Sequence, residues 1–157
     1  MPRRRPDWRM LLVSLGIALG IVLVVIGVSI SVTGRDQQQL PEAIEEIDPI
    51  RGATQVPQQN RVFVDLESGY RASLVIDDVA LDTVNLDELT GLAEPGQQIS
   101  LPPAAIFEPG NYTISYTPVE DGPIEELVTG LHTATVTYWP EVDPAKARSY
   151  TWTFYVV

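Results

Sequence analysis

Side chains that could do chemistry are few in this 157-residue chain. It has a single histidine, His132, a single lysine and no cysteine. General bases and neutral metal ligands are therefore nearly absent, and thiolate metal sites and disulfides are excluded. The G-x-S-x-G nucleophile motif is missing as well. We expect a protein that is not an enzyme and that carries no cofactor.

Carboxylates are abundant, with 21 Asp+Glu against 10 Lys+Arg and a formal net charge of -11. This charge repels polyphosphate, so we expect no binding to nucleic acid. Two acidic clusters could offer oxygen ligands to Ca²⁺, namely Asp77-Asp78 with Asp82 and Glu125-Glu126 with Glu120 and Asp121. Neither cluster has the D-x-D-x-D-G spacing of a calcium loop. A solvated acidic surface is the favoured interpretation, and no metal site is predicted.

Aromatic side chains are the remaining candidates, for binding rather than catalysis. They are dense near the C-terminal end of the chain. Alternation along the predicted strands places Tyr150, Trp152 and Phe154 in the core. Trp139 and Tyr155 are left near an edge, where exposed aromatic residues often mark an interface. These two residues are candidates for contact with a protein partner in the cell envelope.

Strands must position these side chains. Residues 132–139 and 150–156 alternate apolar residues with threonine, and the polar loop 140–149 joins them into a predicted hairpin. Val-, Thr- and Tyr-rich stretches separated by turn residues predict five earlier strands, at 61–66, 72–76, 79–81, 98–101 and 112–116. Residues 86–89 are compatible with a helical turn. About seven strands of this kind predict one all-β, immunoglobulin-like β-sandwich over 48–157.

Two motifs resemble those of bacterial Ig-like modules from surface-layer and envelope proteins. The segment DPIRGATQVP at 48–57 resembles the P-x-x-G-A-x-x-V-P start of such modules, and GLHT at 130–133 with TFYVV at 153–157 resembles their last two strands. The resemblance implies a spacer, adhesion or accessory module and brings no catalytic residue with it.

His132 occupies a recognisable place within this resemblance. The penultimate strand of Ig-like folds often begins with Gly-x-Tyr, whose hydroxyl bonds back to the backbone. Gly130-Leu131-His132 puts histidine at that corner, so we expect a structural, hydrogen-bonded side chain. Copper binding would need further His or Met ligands, and the two methionines are Met1 and Met10. No copper site is predicted.

An apolar N-terminal segment predicts the topology. Residues 10–32 contain no charged residue and no proline. As a helix they would measure about 34 Å, enough to cross a hydrocarbon core of about 30 Å. Four arginines precede them within residues 1–9, which predicts a cytoplasmic N-terminus. A cleaved signal peptide is the alternative, and the apolar run is too long to favour it.

One face of this predicted helix carries small residues. Gly16, Gly20, Gly27 and Ser31 fall within a narrow arc at about 100° per residue. Such a stripe allows close approach of a second helix inside a membrane. We therefore expect the lipid bilayer as a partner through residues 10–32. A homodimer or a larger membrane complex could form through the stripe.

Residues 33–47, rich in Gln and Glu, are predicted to be a solvated linker between the helix and the sandwich. The alternative is a short helix in which Leu40, Ile44 and Ile47 share one face.

Together these features predict a single-pass protein of the cell membrane, with its acidic C-terminal domain outside the cytoplasm. Its expected role in the bacterial cell envelope is non-catalytic binding or spacing. One alternative is an accessory subunit of a larger membrane complex, docked through the glycine stripe. A second alternative is a small envelope hydrolase or metal-dependent enzyme, which would need His132 or Asp77 for activity.

Overall fold

The computed structural model describes residues 8–32, 39–91 and 101–157. The chain forms two compact units, residues 1–37 and 38–157. The first contains helix α1, Trp8–Val32, with side chains described at Trp8 and at positions 14–26. Its described large apolar side chains are between 48% and 71% exposed. Among the described residues no helix is both long and apolar enough to cross a membrane. The transmembrane span at 10–32 therefore stays a prediction.

Two β-sheets pack face to face in the second unit. Its described elements are β1 Ile44–Asp48, β2 Val62–Leu66, β3 Tyr70–Ile76, β4 Val79–Ala80, β5 Thr83–Asn85, α2 Leu86–Gly91, β6 Ala105–Glu108, β7 Thr113–Tyr116, β8 Gly130–Pro140, a 3₁₀ helix Pro144–Lys146 and β9 Arg148–Val156. The first sheet has the order β1-β2-β7-β6-β5 and the second the order β4-β3-β8-β9. The β5–β6 pair is parallel and the other pairs are antiparallel. The predicted all-β sandwich is thereby confirmed at the level of two packed sheets.

The core lies between the two sheets. The long strands of the second sheet bury every other residue against it: Ala72, Leu74 and Ile76 from β3, Ala134, Val136 and Tyr138 from β8, and Trp152, Phe154 and Val156 from β9. Burying each larger apolar side chain contributes about 1.5–3 kcal/mol. The indole Nε1 of Trp152 donates to the carbonyl oxygen of Pro49 at 2.9 Å. Even the polar end of the largest core side chain is therefore satisfied.

The C-terminal hairpin forms as predicted, with nine paired positions from Gly130–Val156 to Tyr138–Arg148. The strands predicted at 61–66, 72–76, 79–81 and 112–116 also appear, with ends shifted by one or two residues, and α2 begins at the predicted helical turn. The strand predicted at 98–101 lies outside the described residues apart from Leu101, which is not in a strand.

The predicted linker at 33–47 is wrong in its C-terminal part. Residues 44–48 form β1, and the side chains of Ile44 and Ile47 have no exposed surface. Residues three apart in a regular strand point to opposite faces. A bulge between Ile44 and Glu46 adds one residue, so both isoleucines face the core. The sandwich therefore begins before residue 48, the helical alternative is also wrong, and residues 33–38 lie outside the described part.

We predict that Ile47→Ala lowers the free energy of unfolding by about 2–5 kcal/mol, because it removes a fully buried side chain. Glu45→Ala, in the same strand but exposed, should change it by less than about 0.5 kcal/mol. Urea unfolding of the full chain, followed by tryptophan fluorescence, measures both. Equal and small effects of the two substitutions would mean that residues 44–48 behave as a linker.

Candidate interaction surface

His132 is buried in β8, with 4% of its surface exposed. Its Nδ1 lies 2.6 Å from Oδ2 of Asp77, and its Nε2 lies 2.5 Å from the carbonyl oxygen of Val128. The ring stacks on Phe154 with centroids 5.7 Å apart. Each ring nitrogen therefore faces an oxygen atom that can accept a hydrogen bond. His132 is therefore held on every side by the fold, as its predicted corner position implies.

Asp77 occupies the tight turn that joins β3 to β4. Asp77 and Asp78 both adopt positive φ, 48° and 65°. Besides the contact with His132, the other carboxylate oxygen of Asp77 accepts from the backbone N–H of Thr133 at 2.8 Å, and the Asp77 N–H donates to the Thr133 carbonyl. Both carboxylate oxygens thus bind groups of the chain itself. Sequence reasoning assigned Asp77 to an acidic cluster and missed this partnership with His132.

The acidic clusters do not gather around a common point in the described part of the chain. No group of three or more His, Cys, Asp or Glu side chains there is placed to hold a metal ion. Acidic side chains are neighbours on the outer side of the first sheet, where Asp65 pairs across from Glu46. Burial, followed by the negative charges of Glu45 and Glu46, raises the pKa of the Asp65 carboxyl. The negative charges of Glu45 and Glu46 therefore repel that of Asp65.

Trp139 and Tyr155, the two predicted interface residues, lie on one face of the second sheet. Both occupy the outward positions of their strands, since Tyr138 and Phe154 beside them are buried. Trp139 is half-buried and pairs with Arg71, whereas Tyr155 is 44% exposed and pairs with Leu131. Tyr155 lies on β9, the end strand of its sheet, and Trp139 lies on the neighbouring strand β8 at the other end of the same face.

Hydroxyl side chains fill the space between these aromatic residues. We name this surface the hydroxyl face and define it by Ser73, Thr133, Thr135, Thr137, Ser149, Thr151 and Thr153. The strand register aligns them in three rows, Ser73–Thr137–Ser149, Thr135–Thr151 and Thr133–Thr153, and the apolar Val75 of β3 lies beside Thr135 in the second row. Thr135 and Thr151 hydroxyl oxygens are 2.9 Å apart, as are those of Thr137 and Ser149. The sequence shows the alternating threonines, but only the register shows that they form rows.

Charge is confined to the margins of the hydroxyl face. At the Trp139 end, Arg71 donates to Glu141 at 3.0 Å. At the opposite end lies Asp77, which is occupied by His132. The three rows themselves contain no ionisable side chain. A cavity of about 260 Å³ adjoins the Trp139 end and is lined in part by Ser73, Asn85 and Glu88.

The small residues of α1 are only partly within the described side chains. Gly16 and Gly20 are exposed, and a Cβ atom added at either would meet nothing within 4 Å. Gly27 and Ser31 belong to α1, but their side-chain surroundings lie outside what the structure describes. The predicted four-residue stripe therefore stays a prediction.

Among known proteins, a distant structural resemblance to this chain is found. No family model matches the chain, and no curated protein does. A solved structure, the crystal structure of CopC from Methylosinus trichosporium OB3b, resembles it with a TM-score of 0.43 and 14% sequence identity, over 72% of this chain and 90% of that chain. A likeness this distant carries no information about ligand or activity.

We predict that His132→Leu lowers the free energy of unfolding by about 1–3 kcal/mol, because it removes the ring nitrogens that contact the Val128 carbonyl and one Asp77 oxygen. Asp78→Asn, in the same turn but exposed, should shift it by no more than about 0.5 kcal/mol. Thermal unfolding of the full-length variants tests this. A His132→Leu protein of unchanged stability would contradict the structural role of the ring.

Proposed function

We propose that this protein is a membrane-anchored β-sandwich that acts outside the cytoplasm, in the bacterial cell envelope, by binding rather than by catalysis. The observation that carries the proposal is the hydroxyl face with Trp139 and Tyr155 at its two ends. It is broad, open and free of titratable groups in its interior. The histidine and its aspartate, by contrast, are committed to each other and to the backbone. An open polar face beside a histidine–aspartate pair that serves the fold is what we expect of a binding or spacer domain.

The order of the strands supports an immunoglobulin-like assignment of the sandwich. An Ig domain places strands A, B, E and D in one sheet and C, F and G in the other, with C′ added beside C in some sets. The arrangements β1-β2-β7-β6 and β4-β3-β8-β9 follow this order, and β5 is an addition that pairs in parallel with β6 at the end of the first sheet. His132 then stands near the start of strand F, and its bond to the Val128 carbonyl resembles the tie made there by tyrosine. Binding and adhesion are common uses of such domains, but the fold alone specifies no ligand.

The membrane anchor is supported by the composition of α1. Residues 10–32 carry no charge, and the apolar side chains described between positions 14 and 26 are exposed. A helix that is apolar on all sides is buried in a large core or in a membrane. The arginines at positions 3, 4, 5 and 9 favour a cytoplasmic N-terminus. Residues 39–157 would then lie on the far side of the bilayer.

The native absence of cysteine allows a direct test of this topology. Ser68→Cys places one thiol in the exposed β2–β3 turn, and Pro2→Cys places one before the arginines without changing the charge. We predict that a membrane-impermeant maleimide labels Ser68→Cys in intact cells or spheroplasts. Pro2→Cys should be labelled only after the membrane is permeabilised.

The wild-type chain is the blank for this experiment, because it has no thiol to react. Labelling of Pro2→Cys in intact cells, with Ser68→Cys protected until permeabilisation, would reverse the proposed orientation. Recovery of both variants in the soluble fraction after cell breakage would contradict the proposed membrane anchor.

The second candidate function is that of an accessory subunit held in a larger membrane complex by α1. It is favoured by the open notch at Gly16 and Gly20, where no side chain fills the helix surface. Glycines four apart let a second helix approach to backbone distance.

We predict that Gly16→Leu combined with Gly20→Leu abolishes any association through this helix, because the added side chains hold the partner away. Ala18→Leu is the matched control, since position 18 lies on the opposite side of the helix at about 100° per residue. Crosslinking in native membranes, followed by mass spectrometry, measures the captured partner. Identical crosslinked species from wild type and the double variant would contradict docking through the stripe.

A further inference from the structure

The hydroxyl face has a composition unlike the rest of the domain. Residues 33–157 contain 20 acidic and 6 basic residues, yet the three hydroxyl rows contain none. We propose that this face binds a neutral polysaccharide. The proposal rests on the binding role proposed above and names the class of partner.

The hydrogen-bonding capacity of the rows fits a polyhydroxylated ligand. In each bonded pair, Thr135–Thr151 and Thr137–Ser149, one hydroxyl donates to the other. The accepting hydroxyl keeps its own O–H, and both oxygens keep lone pairs, so each pair can still donate and accept outward. Sugar hydroxyls are likewise donors and acceptors at once. A carboxylate surface could only accept, and an ammonium could only donate.

The rows also repeat regularly along one direction. Outward residues of a strand recur at about 6.4–6.8 Å, and neighbouring strands lie about 4.7–4.9 Å apart. Trp139 and the Leu131–Tyr155 pair are eight positions apart along β8, which corresponds to about 26 Å. A repeating polymer lying along the strands can therefore use several rows and both aromatic ends, whereas a single sugar ring can use only one region.

The aromatic ends provide the apolar contacts that such a ligand needs. The C–H faces of sugar rings pack on aromatic rings, and Tyr and Trp combine this apolar surface with a polar group. Beside Trp139, the cavity of about 260 Å³ brings Asn85 and Glu88 next to Ser73. Its size is below that of sites for drug-sized ligands, about 300–1,000 Å³. It can receive one ring or a side branch while the rest of the polymer lies on the open face.

Charge favours a neutral polymer over charged ones. The acidic domain repels polyanions such as nucleic acids and polyuronates over distances of several ångströms. A basic protein would instead be drawn to the acidic edge around Glu45, Glu46 and Asp65. The remaining competitor for a flat neutral face is a second copy of the chain, and the experiment below distinguishes it.

The test uses the full chain in a polyoxyethylene detergent, because alkyl glycoside detergents are themselves sugars. Native gels containing soluble mixed-linkage β-glucan measure retardation, and titration with cellohexaose measures affinity in solution. Polygalacturonate serves as the anionic control polymer. We expect retardation by β-glucan, and none by polygalacturonate.

Substitutions on the two sheets locate the binding surface. Trp139→Ala with Tyr155→Ala should weaken glucan binding at least about tenfold, as truncation of aromatic anchors does at interfaces. Thr135→Val with Thr151→Val keeps the branched shape and should weaken it about threefold to tenfold. Phe63→Ala and Thr113→Val, at outward positions of the first sheet, should leave it unchanged. Circular dichroism and thermal unfolding confirm that each variant is folded.

Absence of retardation by neutral glucan overturns the proposal, as does retardation that the Trp139 and Tyr155 substitutions leave intact. A concentration-dependent dimer that the same substitutions dissociate would assign the face to self-association and would also overturn it. Binding in detergent does not depend on membrane orientation. A wrong topology therefore appears in the maleimide labelling while glucan binding persists, and a wrong partner class appears here while the labelling pattern holds.

Discussion

The register of three adjacent strands, β3, β8 and β9, is the constraint on which the rest of the structure depends. Each strand alternates inward and outward side chains, and the pairing of Val136 with Tyr150 and with Leu74 fixes which set faces the core. A slip of one residue in β9 would expose Trp152 and Phe154 and bury threonines. The same alignment that fills the core therefore also creates the hydroxyl rows. Core packing and the candidate binding surface are two sides of one pattern.

The clearest sequence signals gave the most accurate predictions. Strict alternation over 132–139 and 150–156 predicted the hairpin and the inward position of Trp152. The spacing of Ile44 and Ile47 led to a wrong prediction, because an interval of three residues is typical of one helix face. In the strand, a bulge adds one residue between them, so both side chains point to the core. Nothing local in the sequence announces that bulge. Alternation also fails in β6, where Ala105, Ile106 and Phe107 are all buried and leave no two-residue pattern to detect.

The candidate site was predictable residue by residue but not as an arrangement. Trp139 and Tyr155 could be selected by type, and His132 by its place after Gly130. Their relations depend on pairing between distant parts of the chain, such as the contact of His132 with Asp77, 55 residues away. A single sequence carries the alternation within each strand. It does not show which strands pair with each other. The hydroxyl rows and the contacts of His132 with Asp77 and Val128 are therefore visible only in the three-dimensional structure.

The acidic outer edge of the first sheet has a consequence for how copies of this protein behave together. Strand β1 lies at the end of its sheet, and open sheet edges invite pairing with the edge of another molecule. Glu45 and Glu46 put negative charge along that edge, at the cost of repulsion with Asp65, whose pKa is raised. As the pH falls through the raised pKa of Asp65, its carboxylate takes up a proton. The unfavourable burial of its charge and its repulsion with the two glutamates are then removed. The negative charge that keeps the edges of two copies apart is thus maintained at an energetic cost inside each copy, and protonation of Asp65 relieves that cost.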